Sequence, residues 1–347
     1  MSVRVALIGA GIMGADHARI LAEDIPGAEL TVVCDASDAR ARAVAEACGA
    51  ADVMTDPVAT IERRDVDAIL VASTDETHAP LTLAGITAGK PVLCEKPLAP
   101  TAAEGITVVE AEIRAGRRLA QIGFMRRFDP AYAEMRRSFR EGRIGSALMM
   151  HNFHRNVESP GVWFTESMAI SGSAPHEFDV ARFVLGTDYA SISVFQPKRS
   201  DANVAPVFAV LRTRDGQLVN IEVNNNAAYG YDVRAELVGE QGSVELMIPA
   251  ATRLNAGLSL AQGYAPDWRP RFAEAYRLQN KAWIRSIETG VPSEIAANAW
   301  DGYQAILVAE AGARALAEGR EVEVERPEAP DLYRAGIDAT RGEEVIA

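Results

Sequence analysis

Six residues near the start of this 347-residue chain, GAGIMG at 9–14, constrain its fold more than any other stretch. Gly9, Gly11 and Gly14 spell G-x-G-x-x-G between the apolar run VRVALI (3–8) and a helix-like stretch at 13–23. The motif alone is weak; a strand before it and a helix after it make it a dinucleotide turn. Gly9 permits the tight turn, and Gly11 lets backbone approach a pyrophosphate at the helix N-terminus. Gly14 lets the helix lie close to the strand. Asp35 follows the second apolar run, LTVVC (30–34), 21 residues after Gly14. A carboxylate there accepts the adenosine ribose hydroxyls and repels a 2′-phosphate, and Ala36 rather than an arginine comes next. NAD is therefore expected in preference to NADP. FAD, the other dinucleotide of such folds, suits a long polar second domain less well than a dissociable nicotinamide.

The rhythm around the motif supports this. Apolar runs at 3–8, 30–34, 67–72 and 91–94 alternate with helix-like stretches near 13–23, 38–48 and 78–88, and RRLAQIGF (117–124) reads as one more strand. Alternation of this kind implies a parallel sheet with right-handed crossovers. After it the pattern changes. A helix over 130–141 precedes longer strands at 146–156, 190–198, 207–213, 217–226 and 232–240, with short polar turns such as RDG and EQG that mark antiparallel hairpins. A long amphipathic helix is expected over 297–318. The expected architecture is α/β: an N-terminal Rossmann domain over 1–122 and a C-terminal α+β domain over 123–347, built on one large, mostly antiparallel sheet.

Bulk properties exclude some partners. The formal charge of −13 argues against a nucleic-acid surface, which needs a basic patch. No apolar run approaches a membrane span, and three glycines interrupt the apolar N-terminus before Asp16, His17 and Arg19, unlike a signal peptide. Cys34, Cys48 and Cys94 show no metal-ligand spacing, and a reduced, cytoplasmic protein is expected. His151 and His154, three apart on a strand, face opposite sides of it, so no metal site is expected.

Two segments carry candidate chemistry. LCEKPLAP (93–100) ends a strand on Glu95-Lys96-Pro97, and in an open α/β sheet ligands sit beyond the carboxyl ends of the strands. A lysine there can hold a substrate oxygen, although a lysine at a strand end is more commonly just solvated. In ISGSAPHEFDVARF (170–183), a Ser/Gly-rich loop and a proline precede His176, and His176, Asp179 and Phe183 share one helical face. Taken alone, such a histidine is better read as core packing. Beside a nicotinamide site and Lys96, it reads as a base, since an imidazole takes protons near neutral pH. His17, early in the first helix, reads as a capping or packing residue.

These segments, together with THAPLTLAGITAGKPVLCEKPLA, QIGFMRRFDPAY, HNFHRN and NAWDGYQA, resemble the Gfo/Idh/MocA family of sugar and cyclitol dehydrogenases, and within it the branch acting on inositols. The likeness covers nearly the whole chain. It implies NAD-dependent oxidation of a secondary ring hydroxyl of a small polyol, an open-faced second sheet and a homotetramer. It also implies that Lys96 and His176 are the catalytic pair, and that Arg126, His154, Asn156, Asp179 and Tyr231 contact the polyol. Of Arg126 and Arg127, which adjoin, one is expected in the pocket and the other on a carboxylate or in solvent. Gly9, Gly11, Ile12, Met13, Gly14, Asp35, Ser73, Thr74, His78, Glu95 and Lys96 form the expected cofactor-binding set. Inositol-oxidising members commonly carry an aspartate four residues before the histidine, where this chain has Gly172. That departure keeps a pyranose or modified-sugar dehydrogenase as the alternative. A dinucleotide-binding sensor without catalysis ranks below both, since such proteins tend to lose the lysine or histidine that this chain keeps.

Overall fold

A computed structural model describes residues 2–161, 163–201, 203–247 and 252–334. The described chain divides into two compact units. The first comprises residues 1–128, 274–306 and 328 onward, and the second 129–273 and 307–327. Set beside the contiguous division expected at residue 122, the later chain thus returns twice to the first unit.

In the first unit, β1 (Val3–Ile8), β2 (Ala28–Cys34), β3 (Asp52–Met54), β4 (Ala68–Val71), β5 (Val92–Cys94) and β6 (Ala120–Ile122) form a parallel sheet in the order β3-β2-β1-β4-β5-β6. Residues 297–298 add an antiparallel edge beside β6. The central strands β1 and β4 are buried almost throughout, with Leu7, Ile69, Leu70 and Val71 at zero exposure. That is why they read as continuous apolar runs rather than alternating ones. Each such side chain contributes about 1.5–3 kcal/mol on burial. Strand order reverses beside β1, so the crevice for a ligand opens at the carboxyl ends of β1 and β4.

Helices α1 (Ile12–Asp24), α2 (Asp38–Cys48), α3 (Pro57–Ile61), α4 (Asp75–Thr87) and α5 (Ala102–Ala115) make the crossovers. Among these strands and crossover helices, three went unread in the sequence. β3 and α3 are too short to show a period, while α5 is diluted by Gly105 and Thr107 and set by its ends. Thr101 caps it by accepting from the Glu104 N–H at 3.3 Å, and Gly116 closes it with φ +67°.

The second unit begins with α6 (Pro130–Arg140) and carries β7 (Ala147–Arg155), the short α7 (Glu166–Met168), α8 (Pro175–Leu185), β8 (Tyr189–Phe195), β9 (Val207–Thr213), β10 (Leu218–Asn224), β11 (Asp232–Gly239) and β12 (Ser243–Glu245). Its sheet runs β12-β11-β7-β10-β9-β8, and residues 322–323 complete the edge beside β8. The pairings are antiparallel except for β7 with β10. One face is covered: Val207, Ala209, Leu211, Val219, Ile221 and Val223 are buried, and α8 packs on β7. The opposite face leaves Phe195, Phe208 and Leu218 exposed.

The segment before His176 corrects the sequence reading. Instead of a Ser/Gly-rich loop, residues 169–173 make a turn of π-helix that runs into α8. Ser and Gly suggest a loop locally, but the buried Ala169 and Ile170 draw the turn onto the core. Such π turns are frequent at functional sites.

Two long helices follow. α9 (Trp268–Thr289) bends at Phe272, where φ and ψ are −116° and 17°, and α10 (Ala299–Glu318) realises the expected amphipathic helix.

Candidate functional site

The glycine turn has the shape of a dinucleotide cradle. Gly9 lies in the left-handed region at φ +98°, and a Cβ there would come within 2.5 Å of the Ala72 and Ser73 backbone at the end of β4. A Cβ on Gly14 would meet the Gly9 carbonyl at 1.8 Å, whereas one on Gly11 would meet nothing within 4 Å. The turn is therefore tight on the two sides that face protein and open at Gly11, where α1 begins. No side chain caps α1, and its N-terminus lies at the open side, as the pyrophosphate site of such a turn requires. Ile12 is largely exposed and Met13 half-buried beside them.

Asp35 lies beyond β2, buried to 8% exposure. It accepts from the Ala10 N–H at 2.8 Å, the Ser37 N–H at 2.7 Å and the Arg40 guanidinium at 2.8 Å. Burial raises its pKa, but the Arg40 pair and the two backbone donors outweigh this and hold it below the usual carboxylate range. It is therefore ionised at the strand end where folds of this kind read ribose hydroxyls. Sequence inspection of Ala36 missed Arg40, which reaches Asp35 from one turn into α2. Ser73 donates to Thr77 at 2.5 Å, Thr77 in turn donating to the Thr74 carbonyl, and Thr74 caps α4 without a side-chain bond of its own. The cradle and the ionised Asp35 fit NAD.

His78, in the expected cofactor-binding set, is buried against the protein's own main chain. It is 1% exposed, with Nδ1 2.6 Å from the Pro97 carbonyl and Nε2 3.2 Å from the Ser73 carbonyl. Both ring nitrogens are engaged by main chain. Burial pulls its pKa down, yet the Cys94 sulfur, the Pro97 carbonyl and Asp75 prevail and raise it to about 9. The protonated ring is the form that donates to two carbonyls at once.

Glu95 is also buried within the unit. Its Oε1 lies 2.9 Å from Nε2 of His17, which is wholly buried, and its Oε2 accepts from the Lys96 N–H at 3.3 Å. His17 is thus no cap but the partner of the E-K-P glutamate, a link that 78 residues of separation hide from sequence inspection. Lys96 itself is half-buried beyond β5. Arg126 and Arg127 lie in the single 3₁₀ turn Met125–Phe128, both buried. Arg127 meets the expected carboxylate, binding Asp301 with two contacts of 3.2 and 3.1 Å.

In the second unit, α8 and β7 bring the polyol candidates together. His154 projects from the covered face of β7, with Nδ1 2.9 Å from the Glu177 carboxylate and Nε2 3.4 Å from the Asn156 amide nitrogen. Tyr231 stands edge-on to His154 with ring centroids 6.3 Å apart. His176 and Asp179 are both buried on α8. Glu177, the partner of the candidate His154, was not singled out in the sequence. The helical spacing drew attention to the 176–179–183 face, while Glu177 points to β7. Gly172 has no left-handed backbone requirement, and a Cβ there would meet nothing within 4 Å. Ser173 accepts from the Asn225 side chain at 3.0 Å. Among the described residues, no cluster of histidine, cysteine or carboxylate side chains could hold a metal, and no helix is long and apolar enough to cross a membrane.

Comparison with known proteins agrees with both halves. The family described as an oxidoreductase family with an NAD-binding Rossmann fold matches residues 3–124, and its C-terminal alpha/beta domain matches residues 136–324. Inositol 2-dehydrogenase 1 of Saccharopolyspora erythraea is 46% identical over 338 residues, covering 96% of this chain and 99% of that protein. Inositol 2-dehydrogenase of Klebsiella pneumoniae is 40% identical over 342 residues, covering 96% and 100%. Among solved structures, myo-inositol dehydrogenase from Lactobacillus casei in complex with NAD(H) and myo-inositol superposes with a TM-score of 0.91 at 28% identity, covering 96% of this chain and 100% of that one.

Proposed function

Because the chain belongs to the Gfo/Idh/MocA family of NAD-binding oxidoreductases, we propose that it oxidises one secondary ring hydroxyl of a cyclitol, myo-inositol or a close relative, to the ketone, using Lys96 and His176. The observation that carries this reading is its likeness to inositol 2-dehydrogenases across both units at 40–46% identity. NAD, when bound, supplies the hydride acceptor. The protein supplies the rest. The backbone of Gly9, Gly11, Ile12, Met13 and Gly14 holds the pyrophosphate, Asp35 holds the adenosine ribose, and Ser73 and Thr74 line the crevice. Lys96 holds the reacting oxygen and stabilises charge that develops on it. His176 takes the hydroxyl proton as general base. Arg126, His154, Asn156, Asp179 and Tyr231 read neighbouring hydroxyls, with His154 oriented by Glu177. The same groups serve ketone reduction in the reverse direction.

A second reading rests on Gly172. The open space at that position fits a bulkier pyranose or modified sugar, whose oxidation needs the same two groups. We also place the protein in the cytoplasm, a reading supported by three free cysteines, and assemble it as a homotetramer through the uncovered sheet face that exposes Phe195, Phe208 and Leu218. Exposed apolar side chains on one sheet face suit such a contact.

The test is NADH formation with myo-inositol, scyllo-inositol and a set of aldoses, and size-exclusion chromatography with light scattering for the assembly. Turnover of an inositol supports the first reading. Turnover of a pyranose alone selects the second, and no turnover with either class rejects both.

A further inference from the structure

His17 sits mid-way along α1, wholly buried, and every polar atom of its ring is engaged. Nδ1 lies 3.0 Å from the amide nitrogen of Asn280, itself at zero exposure on α9. An amide N–H donates, so Nδ1 is the acceptor and the ring carries its proton on Nε2, which donates to Glu95 Oε1 at 2.9 Å. Tyr276, one turn before Asn280, sets its ring edge-on to the imidazole at 5.6 Å and 85°, fixing the ring plane. Beyond Glu95 the chain of bonds continues into the turn that carries Lys96, through Oε2 and the Lys96 N–H. Gly123 completes the seat, since a Cβ there would fall 2.8 Å from the Glu95 carboxylate, so only glycine leaves it room. Pro97, at the far end of the turn, is held by its carbonyl through His78.

The geometry points to His17 as a positioning residue: an Asn280–His17–Glu95 chain sets the Glu95–Lys96–Pro97 turn and so places the Lys96 side chain for reaction. The inference rests on the role proposed above for Lys96. A catalytic group displaced by about 1 Å forfeits on the order of 100-fold in rate, so a buried chain of bonds ending in the lysine's own peptide group has functional leverage. Ground-state binding of the polyol, read by groups elsewhere, depends on it little.

The experiment compares wild type, Lys96→Ala, His17→Leu, His17→Gln and Asn280→Ala. It measures kcat and KM for the polyol, NADH binding by fluorescence, and the rate at which an amine reagent modifies Lys96, followed by mass spectrometry. The expected result for His17→Leu is a kcat lower by about 30–100-fold, with KM and NADH affinity within about 3-fold. Its Lys96 modification rate changes at least 3-fold or so, as befits a loosened turn. His17→Gln, whose amide can donate to Glu95 and accept from Asn280, returns to within about 5-fold of wild type. Asn280→Ala shifts kcat and labelling in the same direction by less, and it decides the matter should His17→Leu fail to fold. Wild-type kcat and wild-type labelling in the variants, whatever their melting temperature, overturn the inference. If wild type turns over no polyol, the proposed function fails, and labelling of Lys96 alone still decides whether His17 holds the turn.

Discussion

Each unit contains an asparagine–histidine–glutamate chain, and the two differ in a telling way. In the first unit Asn280, His17 and Glu95 are joined at 3.0 and 2.9 Å around an imidazole with zero exposure. In the second, Asn156, His154 and Glu177 are joined at 3.4 and 2.9 Å around an imidazole with 5% exposure. Both glutamates adjoin a proposed catalytic residue, Lys96 in one case and His176 in the other. The first chain is closed, and its last bond goes to the lysine's peptide group. The second is looser at Nε2, where 3.4 Å marks a weak bond that a substrate hydroxyl can replace. On the roles proposed above, the same three residue types would serve as a fixed support in one unit and as a reader of ligand in the other.

The sharpest way to break this comparison is at the catalytic residues themselves. His176→Ala is expected to lower kcat about 1,000-fold, within the usual range for loss of a general base, while NADH binding in a fluorescence titration stays unchanged. Next in size is Glu177→Gln. The substitution removes a charge-assisted bond to His154, and kcat/KM for the polyol falls about 30-fold, mostly through KM. The corresponding change in the closed chain, described above for His17, acts mainly on kcat. Finding the same KM-against-kcat split in both would erase the distinction.

Gly172→Asp probes the space before His176. Nothing lies within 4 Å of the new Cβ and φ is not left-handed there, so the variant is expected to melt within a few degrees of wild type. Its preference for inositol over pyranose, measured as a ratio of kcat/KM, is expected to rise about 10-fold through one added hydrogen bond. An unchanged ratio would show that Gly172 is not a determinant of substrate choice.

The smallest effect concerns His78. Its pKa is raised in the folded protein to about 9, above its unfolded value of about 6.5. Protonation therefore stabilises the fold fully below about 6.5, and the contribution is lost as pH rises through about 9. Thermal melts between pH 8 and 10 are expected to show a decline of roughly 2–4 °C that His78→Asn abolishes. An identical decline in the variant would assign it to other groups.

The cofactor half was readable in the sequence because its signals are local. Gly9, Gly11, Gly14 and Asp35 lie within 27 residues, and each acts through backbone geometry or a strand end. Lys96 could be singled out as a candidate for the same reason, standing just after an apolar run. Support for these residues was not legible. His17 meets Glu95 78 positions away and Asn280 263 positions away, and no local period marks such a pairing. In the second unit, β9 and β11 were read to within a residue from their alternation. The parallel pairing of β7 with β10 joins strands far apart in sequence, and hairpin turns cannot reveal it. Glu177 escaped because its face of α8 is set by β7, a tertiary partner, and not by the helix's own apolar spacing.

The central claim is that a ring carbon of a cyclitol gives up its hydrogen to nicotinamide under the action of Lys96 and His176. The most direct measurement supplies inositol deuterated at its ring carbons together with NAD, and follows deuterium into the reduced cofactor by mass spectrometry. The account predicts one deuterium per NADH for wild type and almost none formed by Lys96→Ala or His176→Ala. Bound NAD with no deuterium transferred by wild type, or undiminished transfer in either variant, would contradict it.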